Sequence, residues 1–110
     1  MSEYRACINK VVVDIKDKSN LDFRLKYNPT TELKLNDTGK IVLEGCIEKH
    51  TVSHIVDRIS KKYDVEDKEV ILKDVLSLLS KFFKMGMITW ENDEFPWKDE
   101  YEKKKSNYTL

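Results

Sequence analysis

The chain has 110 residues, which suits one domain with a core near the lower limit for unaided folding. Apolar residues make up 40% and charged residues 36%, a globular balance that excludes a wholly disordered chain. Twenty lysines and arginines match twenty aspartates and glutamates, so the chain lacks the basic surplus that phosphate binding favours.

The opening residues are charged and lack the apolar stretch of a signal peptide, and the longest apolar runs, such as Val11–Val13, are too short to span a bilayer. A cytoplasmic protein with reduced thiols is therefore expected. Cys7 and Cys46 stand far apart in sequence and form no CxxC pair.

The first third reads as strands. Residues 10–15 are β-branched and run into the polar stretch 16–20. Residues 22–27 alternate, placing Phe23, Leu25 and Tyr27 on one face. Asn28-Pro29-Thr30 carries turn chemistry, and residues 32–35 alternate again with Leu33 and Leu35 inward. Short turns between consecutive strands imply an antiparallel meander of three within residues 8–35.

Past Asn36 the period changes. Asn36 or Asp37 can cap a first helix near 37–47, where Gly39 and Gly45 each weaken helix formation by roughly 1 kcal/mol. Thr51 can cap a second helix near 51–63, with Val52, Ile55, Val56, Ile59 and Tyr63 on one face. The third helix, near 67–85, begins acidic, carries Lys81 and Lys84 near its end, and stops at Gly86. Met87–Trp90 can add a short extended segment. The third helix has two apolar stripes, Leu72, Leu76, Leu79 and Phe83, and Ile71, Val75, Leu78 and Phe82. Together they exceed the single face a helix usually buries. Either a central helix is contacted from several sides, or one stripe lines a groove for an apolar ligand.

Catalytic and metal constellations are missing. His50 and His54 straddle the expected start of the second helix without a third ligand, and Cys46 reads as a small core residue. No GxGxxG, P-loop, GxSxG or HExxH occurs, so the chain reads as a binding domain with no catalytic residues, metal or cofactor. The second and third helices trace a helix-turn-helix outline. However, Lys68, Lys73, Lys81 and Lys84 are offset by Glu66, Asp67, Glu69 and Asp74, unlike a major-groove reader.

The succession Leu33-Lys-Leu-Asn-Asp-Thr-Gly39, Ile41-Val-Leu-Glu-x-Cys46 and Thr51-Val52-x-x-Ile55 resembles one known family. Tyr63, Asp74-Val75, Leu78-Leu79 and Gly86-Met87-Ile88 extend the likeness, which spans about Val11 to Trp90. The family is the PqqD-like peptide chaperones of pyrroloquinoline quinone biosynthesis. They are also described as the recognition element of ribosomally synthesised, post-translationally modified peptides. This chain differs in having Ile47-Glu48-Lys49-His50 where the family commonly places a glycine, and in a longer charged tail.

The resemblance implies an α+β, winged-helix-like fold: a three-stranded antiparallel sheet followed by three helices. It implies a leader-peptide-binding domain over residues 1–90, with 91–110 as a charged C-terminal tail. The leader of a precursor peptide would add as a strand beside Thr31, Glu32, Leu33, Lys34 and Leu35. Its side chains would enter a groove against Ile71, Asp74, Val75 and Leu78 of the third helix. The domain would then present the peptide to a modifying enzyme, often a radical SAM enzyme, without nucleic acid or membrane as partner. Oligomeric state stays open at this stage. The alternative is a winged-helix DNA-binding regulator or a protein–protein adaptor.

Overall fold

The computed structural model describes residues 3–17, 22–32 and 35–99, with 28–32 described by backbone alone. In chain order it runs β1 (Ala6–Ile8), β2 (Val13–Asp17), β3 (Asp22–Leu25) and β4 (Asn28–Glu32). These lead into α1 (Asp37–Ile47), α2 (Val52–Tyr63), α3 (Lys68–Lys84) and β5 (Ile88–Trp90), then a 3-10 turn at Glu91–Asp93. The class is α+β, with three helices and antiparallel strands.

The helices begin where their caps dictate. The Asn36 side chain accepts from the Gly39 N–H at 2.8 Å, Thr51 Oγ1 from the His54 N–H at 3.1 Å, and Asp67 from the Glu69 N–H at 3.1 Å. At the end of α3, the Gly86 N–H reaches the Phe83 carbonyl and the Met87 N–H reaches the Phe82 carbonyl. This Schellman arrangement needs the left-handed φ of +78° that Gly86 supplies without strain.

The strands depart from expectation in three places. The segment expected from residue 10 becomes strand only at Val13, because Asn9 folds the backbone first. Its Oδ1 accepts the Val11 N–H, and its carbonyl accepts the N–H groups of Val12 and Val13. Val11 is left 81% exposed. Next, the reversal after β3 occurs at Lys26–Tyr27, one step before the expected Asn28-Pro29-Thr30 turn. Leu25 pairs with Asn28, so β4 begins there and Tyr27 is 64% exposed rather than inward. Pro29 is compatible with a strand that lacks a neighbour on its N–H side. Finally, the expected third strand over 32–35 is displaced toward the N-terminus, so Leu35 lies outside it. Leu33 and Lys34 lie outside the described residues.

β3 pairs with β2 on one side and β4 on the other, in the expected order and sense. The sheet is irregular. The β3–β4 ladder has only two register pairs, Arg24 with Glu32 and Leu25 with Asn28, and a register shift separates them. A second ladder joins β1 to β5, pairing Ala6 with Trp90 and Ile8 with Ile88 across almost the whole chain. Arg5 bridges to Thr51 as well, and the Val52 N–H donates to the Tyr4 carbonyl.

The core gathers Leu43 and Cys46 from α1, Val52, Ile55 and Ile59 from α2, and Ile71, Val75, Leu79 and Phe82 from α3. Val13, Phe23 and Met87 join them from the strands and the α3 exit. Beyond Trp90 the chain folds back: Phe95 stacks on Trp90, and Trp97 lies edge-on to both Trp90 and Phe95. The Trp90 indole N–H is buried with no acceptor among the described residues.

Two substitutions test this packing. A Cβ at Gly45 would lie 2.5 Å from Ile55 Cγ1 and 2.7 Å from its Cδ1, deep in the α1–α2 contact. Gly45→Ala should therefore destabilise by ~1–3 kcal/mol through overpacking, more than offsetting the ~1 kcal/mol gain in helix propensity. Urea unfolding reads the sign. Asn9→Ala removes both the acceptor for Val11 and the Nδ2–H bond to the Gly86 carbonyl at 3.0 Å. A loss of about 1–2 kcal/mol is expected, and an unchanged midpoint would show that the Asn9 turn is not a structural anchor.

Candidate functional site

The expected groove has two walls. One is β4, which pairs with β3 along one edge and has no strand on its other edge among the described residues. Thr31 and Glu32 occupy this strand, while Leu35 follows it, half-buried, beside Gly39 at the entrance to α1. The second wall is α3. Here the residues of the two expected stripes recombine: Ile71, Val75, Leu79 and Phe82 form the buried face.

Either side of that face differs. On one flank Leu72, Leu76 and Phe83 are half-buried, and the Phe83 ring is covered by Phe95 at 5.1 Å and Trp97 at 6.3 Å. On the other flank Leu78 is half-buried, Asp74 is exposed, and Val70 is 53% exposed. Val70, Asp74 and Leu78 are spaced four apart and so form one row along the helix. Of the expected helix residues, Ile71 and Val75 are therefore core floor, and Asp74 and Leu78 are accessible. Val70 is an addition. Its signal in the sequence is an apolar side chain whose neighbours three and four residues away on a helix, Glu66, Asp67, Lys73 and Asp74, are all charged, outside either long stripe.

β4 and α3 are not among the closely packed pairs of elements. Two clefts among the described residues lie elsewhere. One of about 490 Å³ is lined by Glu3, Tyr4, Arg5, Glu91, Asn92 and Glu94. Another of about 430 Å³ is lined by Asp37, Lys40, Ile41, Glu44, Arg58, Lys61 and Lys62. Neither includes an expected groove residue. No described helix is long and apolar enough to cross a membrane.

His50 and His54 do meet across the Thr51 cap, with ring centroids 4.1 Å apart, and Glu48 Oε2 lies 2.6 Å from His50 Nε2. Among the described residues, no group of three or more histidine, cysteine or acidic side chains could hold a metal ion.

Comparison with known proteins bears on the same region. Residues 25–88 match the family model described as Coenzyme PQQ synthesis protein D (PqqD). That stretch runs from the end of β3 through α3 and covers more than half of the chain. A protein of Methylococcus capsulatus named PqqA binding protein is 33% identical over 48 residues, which are 44% of this chain and 52% of that protein. The match thus spans about half of the relative's length. No solved structure matches the chain significantly.

Cys46 is the one titratable side chain clearly perturbed among the described residues. Burial pushes its thiol from the ordinary 9.0 up to about 12, and the neighbouring Cys7 thiol adds to the shift. Both cysteines are free. A pKa raised by folding stabilises fully below about pH 9, and this contribution is lost as pH rises toward 12. In the native protein at pH 8, iodoacetamide should label half-buried Cys7 and spare Cys46. The stability advantage of the native chain over Cys46→Ala, read by urea unfolding, should shrink between pH 9 and 11. A constant difference would contradict burial of the thiol.

Proposed function

The chain belongs to the PqqD family, and on that premise we propose that it captures the leader segment of a precursor peptide without changing it chemically. The observation that carries this reading is the extent of the family match, which takes in β4 and all of α3. The name of the Methylococcus relative, PqqA binding protein, supports a peptide as the ligand. We read the arrangement as winged-helix-like, acting in the cytosol and delivering the peptide to a modifying enzyme, for which a radical SAM enzyme is our proposal.

The leader adds as a strand that starts on the open edge of β4 at Thr31 and Glu32 and runs on beside Leu33, Lys34 and Leu35. Its alternate side chains turn toward α3. Backbone bonds supply affinity, and side-chain pockets supply selectivity. Successive members of the row Val70, Asp74 and Leu78 are separated by about 6 Å along a helix. Alternate residues of a strand advance about 6.6–6.8 Å. An extended leader can therefore set three successive inward side chains against this row, while Ile71 and Val75 form the floor beneath. Two or three apolar anchors at ~2 kcal/mol each, with backbone bonds near ~1 kcal/mol each, suit a micromolar complex once ordering costs of ~2–5 kcal/mol are subtracted.

Titrating the isotope-labelled chain with a synthetic leader tests the reading. Amide shifts should cluster on residues 28–35 and on α3 around Val70, Asp74 and Leu78. Leu78→Glu should weaken binding about tenfold or more through loss of one apolar anchor worth ~1.5–2 kcal/mol, with its unfolding midpoint checked in parallel. Intact mass of the full precursor should be unchanged after incubation with the chain alone. A covalent mass change, or shifts confined to residues 49–58 or beyond 91, would retire the proposal.

A further inference from the structure

The cleft between α1 and α2 has a chemistry of its own. The two helices touch where Gly45 meets Ile55 and separate toward the first turn of α1 and the last turn of α2. The opening, about 430 Å³, is lined by four basic side chains, Lys40, Arg58, Lys61 and Lys62, against two acidic ones, Asp37 and Glu44. Glu44 is already engaged, its Oε1 lying 3.1 Å from Arg58 Nη2. Lys40, Lys61 and Lys62 thus face one remaining carboxylate, that of Asp37.

A bland explanation accounts for part of this. Lys61 and Lys62 lie in the last turn of α2, where cations complement the helix macrodipole. Lys40 does not fit that explanation. It stands in the first turn of α1, the end that disfavours a cation, and forms no ion pair with a described carboxylate. Three ammonium groups from two helices therefore converge on a cleft with an apolar floor at Ile41.

The cleft is also set apart from α3. Neighbouring residues of α2 reach in different directions: Asp57 pairs with Lys68 of α3 at 2.9 Å, and Arg58 pairs with Glu44 of α1. A ligand along the Val70–Leu78 row leaves the α1–α2 side free.

We propose that this cleft is a docking site for an acidic segment of a partner protein. Its volume suits a few carboxylate side chains. The chain's zero net charge withholds the long-range attraction on which phosphate-backbone binding depends. Carboxylates spaced along a peptide match ammonium groups spread over two helices better than a single compact anion does. The site is independent of the leader reading and leaves room for a leader and a partner protein to bind together.

The test uses the full chain, isotope-labelled, titrated with hexaglutamate peptide at fixed ionic strength. Parallel titrations use hexalysine, inorganic phosphate and a short DNA duplex. Hexaglutamate should shift Lys40, Ile41, Arg58, Lys61 and Lys62, and the Lys40→Glu/Lys61→Glu double variant should weaken binding at least tenfold. The gentler Lys61→Gln/Lys62→Gln pair should give a smaller loss in the same direction, with unfolding midpoints retained in both. Leader titration of these variants should match that of the native chain. Shifts spread evenly over Lys16, Lys73, Lys81 and Lys84, or equal binding of phosphate or duplex at the cleft, would overturn the proposal. Loss of leader binding by the native chain, with hexaglutamate still held at the cleft, would sink the leader reading alone.

Discussion

The arrangement depends on the backbone of residues 4–9, and on Asn9 above all. This short segment ties together three parts of the chain that are distant in sequence. Tyr4 and Arg5 hold the start of α2 through Val52 and Thr51, and β1 pairs with β5. Asn9 then fixes the exit of α3: its N–H donates to the Met87 carbonyl at 2.8 Å and its side chain donates to the Gly86 carbonyl. The same residue turns the chain into β2. Closing a loop of about eighty residues carries an entropic cost that grows only slowly with length. Several cooperating hydrogen bonds at one residue can offset it.

That device explains which features were legible in the sequence. All three helices were, because their signals are local: a capping side chain and an apolar period mark each segment, and a glycine, Gly86, ends the third. Asn36, Thr51, Asp67 and Gly86 all act at or next to their expected boundaries. The strands were less legible, because register depends on partners elsewhere. Nothing near Ala6–Ile8 announces a pairing with Ile88–Trp90, and the β-branched run after Lys10 conceals the turn imposed by Asn9. The Asn28-Pro29-Thr30 signal was correct in marking a change of direction but placed it just too late, because Lys26–Tyr27 closes the hairpin first.

On α3, the sequence indicates which residues share a side and leaves open which of them face outward. Ile71, Asp74, Val75 and Leu78 do share one side of α3, but periodicity cannot say how far a helix is rotated against its neighbours. α3 packs along α2, with the Asp57–Lys68 ion pair between them, and the aromatic segment after Trp90 covers its far end. Once both are in place, Ile71 and Val75 turn inward, and Val70 emerges beside Asp74 and Leu78. The Asp57 Oδ1 atom is shielded from solvent, so Lys68 compensates its desolvation by charge attraction where directed hydrogen bonds are missing.

The apolar excess of α3 can now be assigned flank by flank. Its centre forms the core, and the Phe83 end is closed by Phe95 and Trp97. The Val70 and Leu78 side has no such cover among the described residues. Phe95 and Trp97 lie outside the stretch that matches the family, as does β1. Parts of the chain beyond the matched stretch therefore help decide which side of a matched helix stays accessible. They close the flank at the α3 exit and leave open the one carrying Asp74. If the proposed leader lies along this row, a single carboxylate between two apolar side chains limits what an extended peptide can place there. Apolar groups suit the two ends of the row, and a cation or hydrogen-bond donor suits its middle. Selectivity on such a surface would arise from the order of three side chains, with the backbone ladder on β4 contributing affinity that is indifferent to sequence.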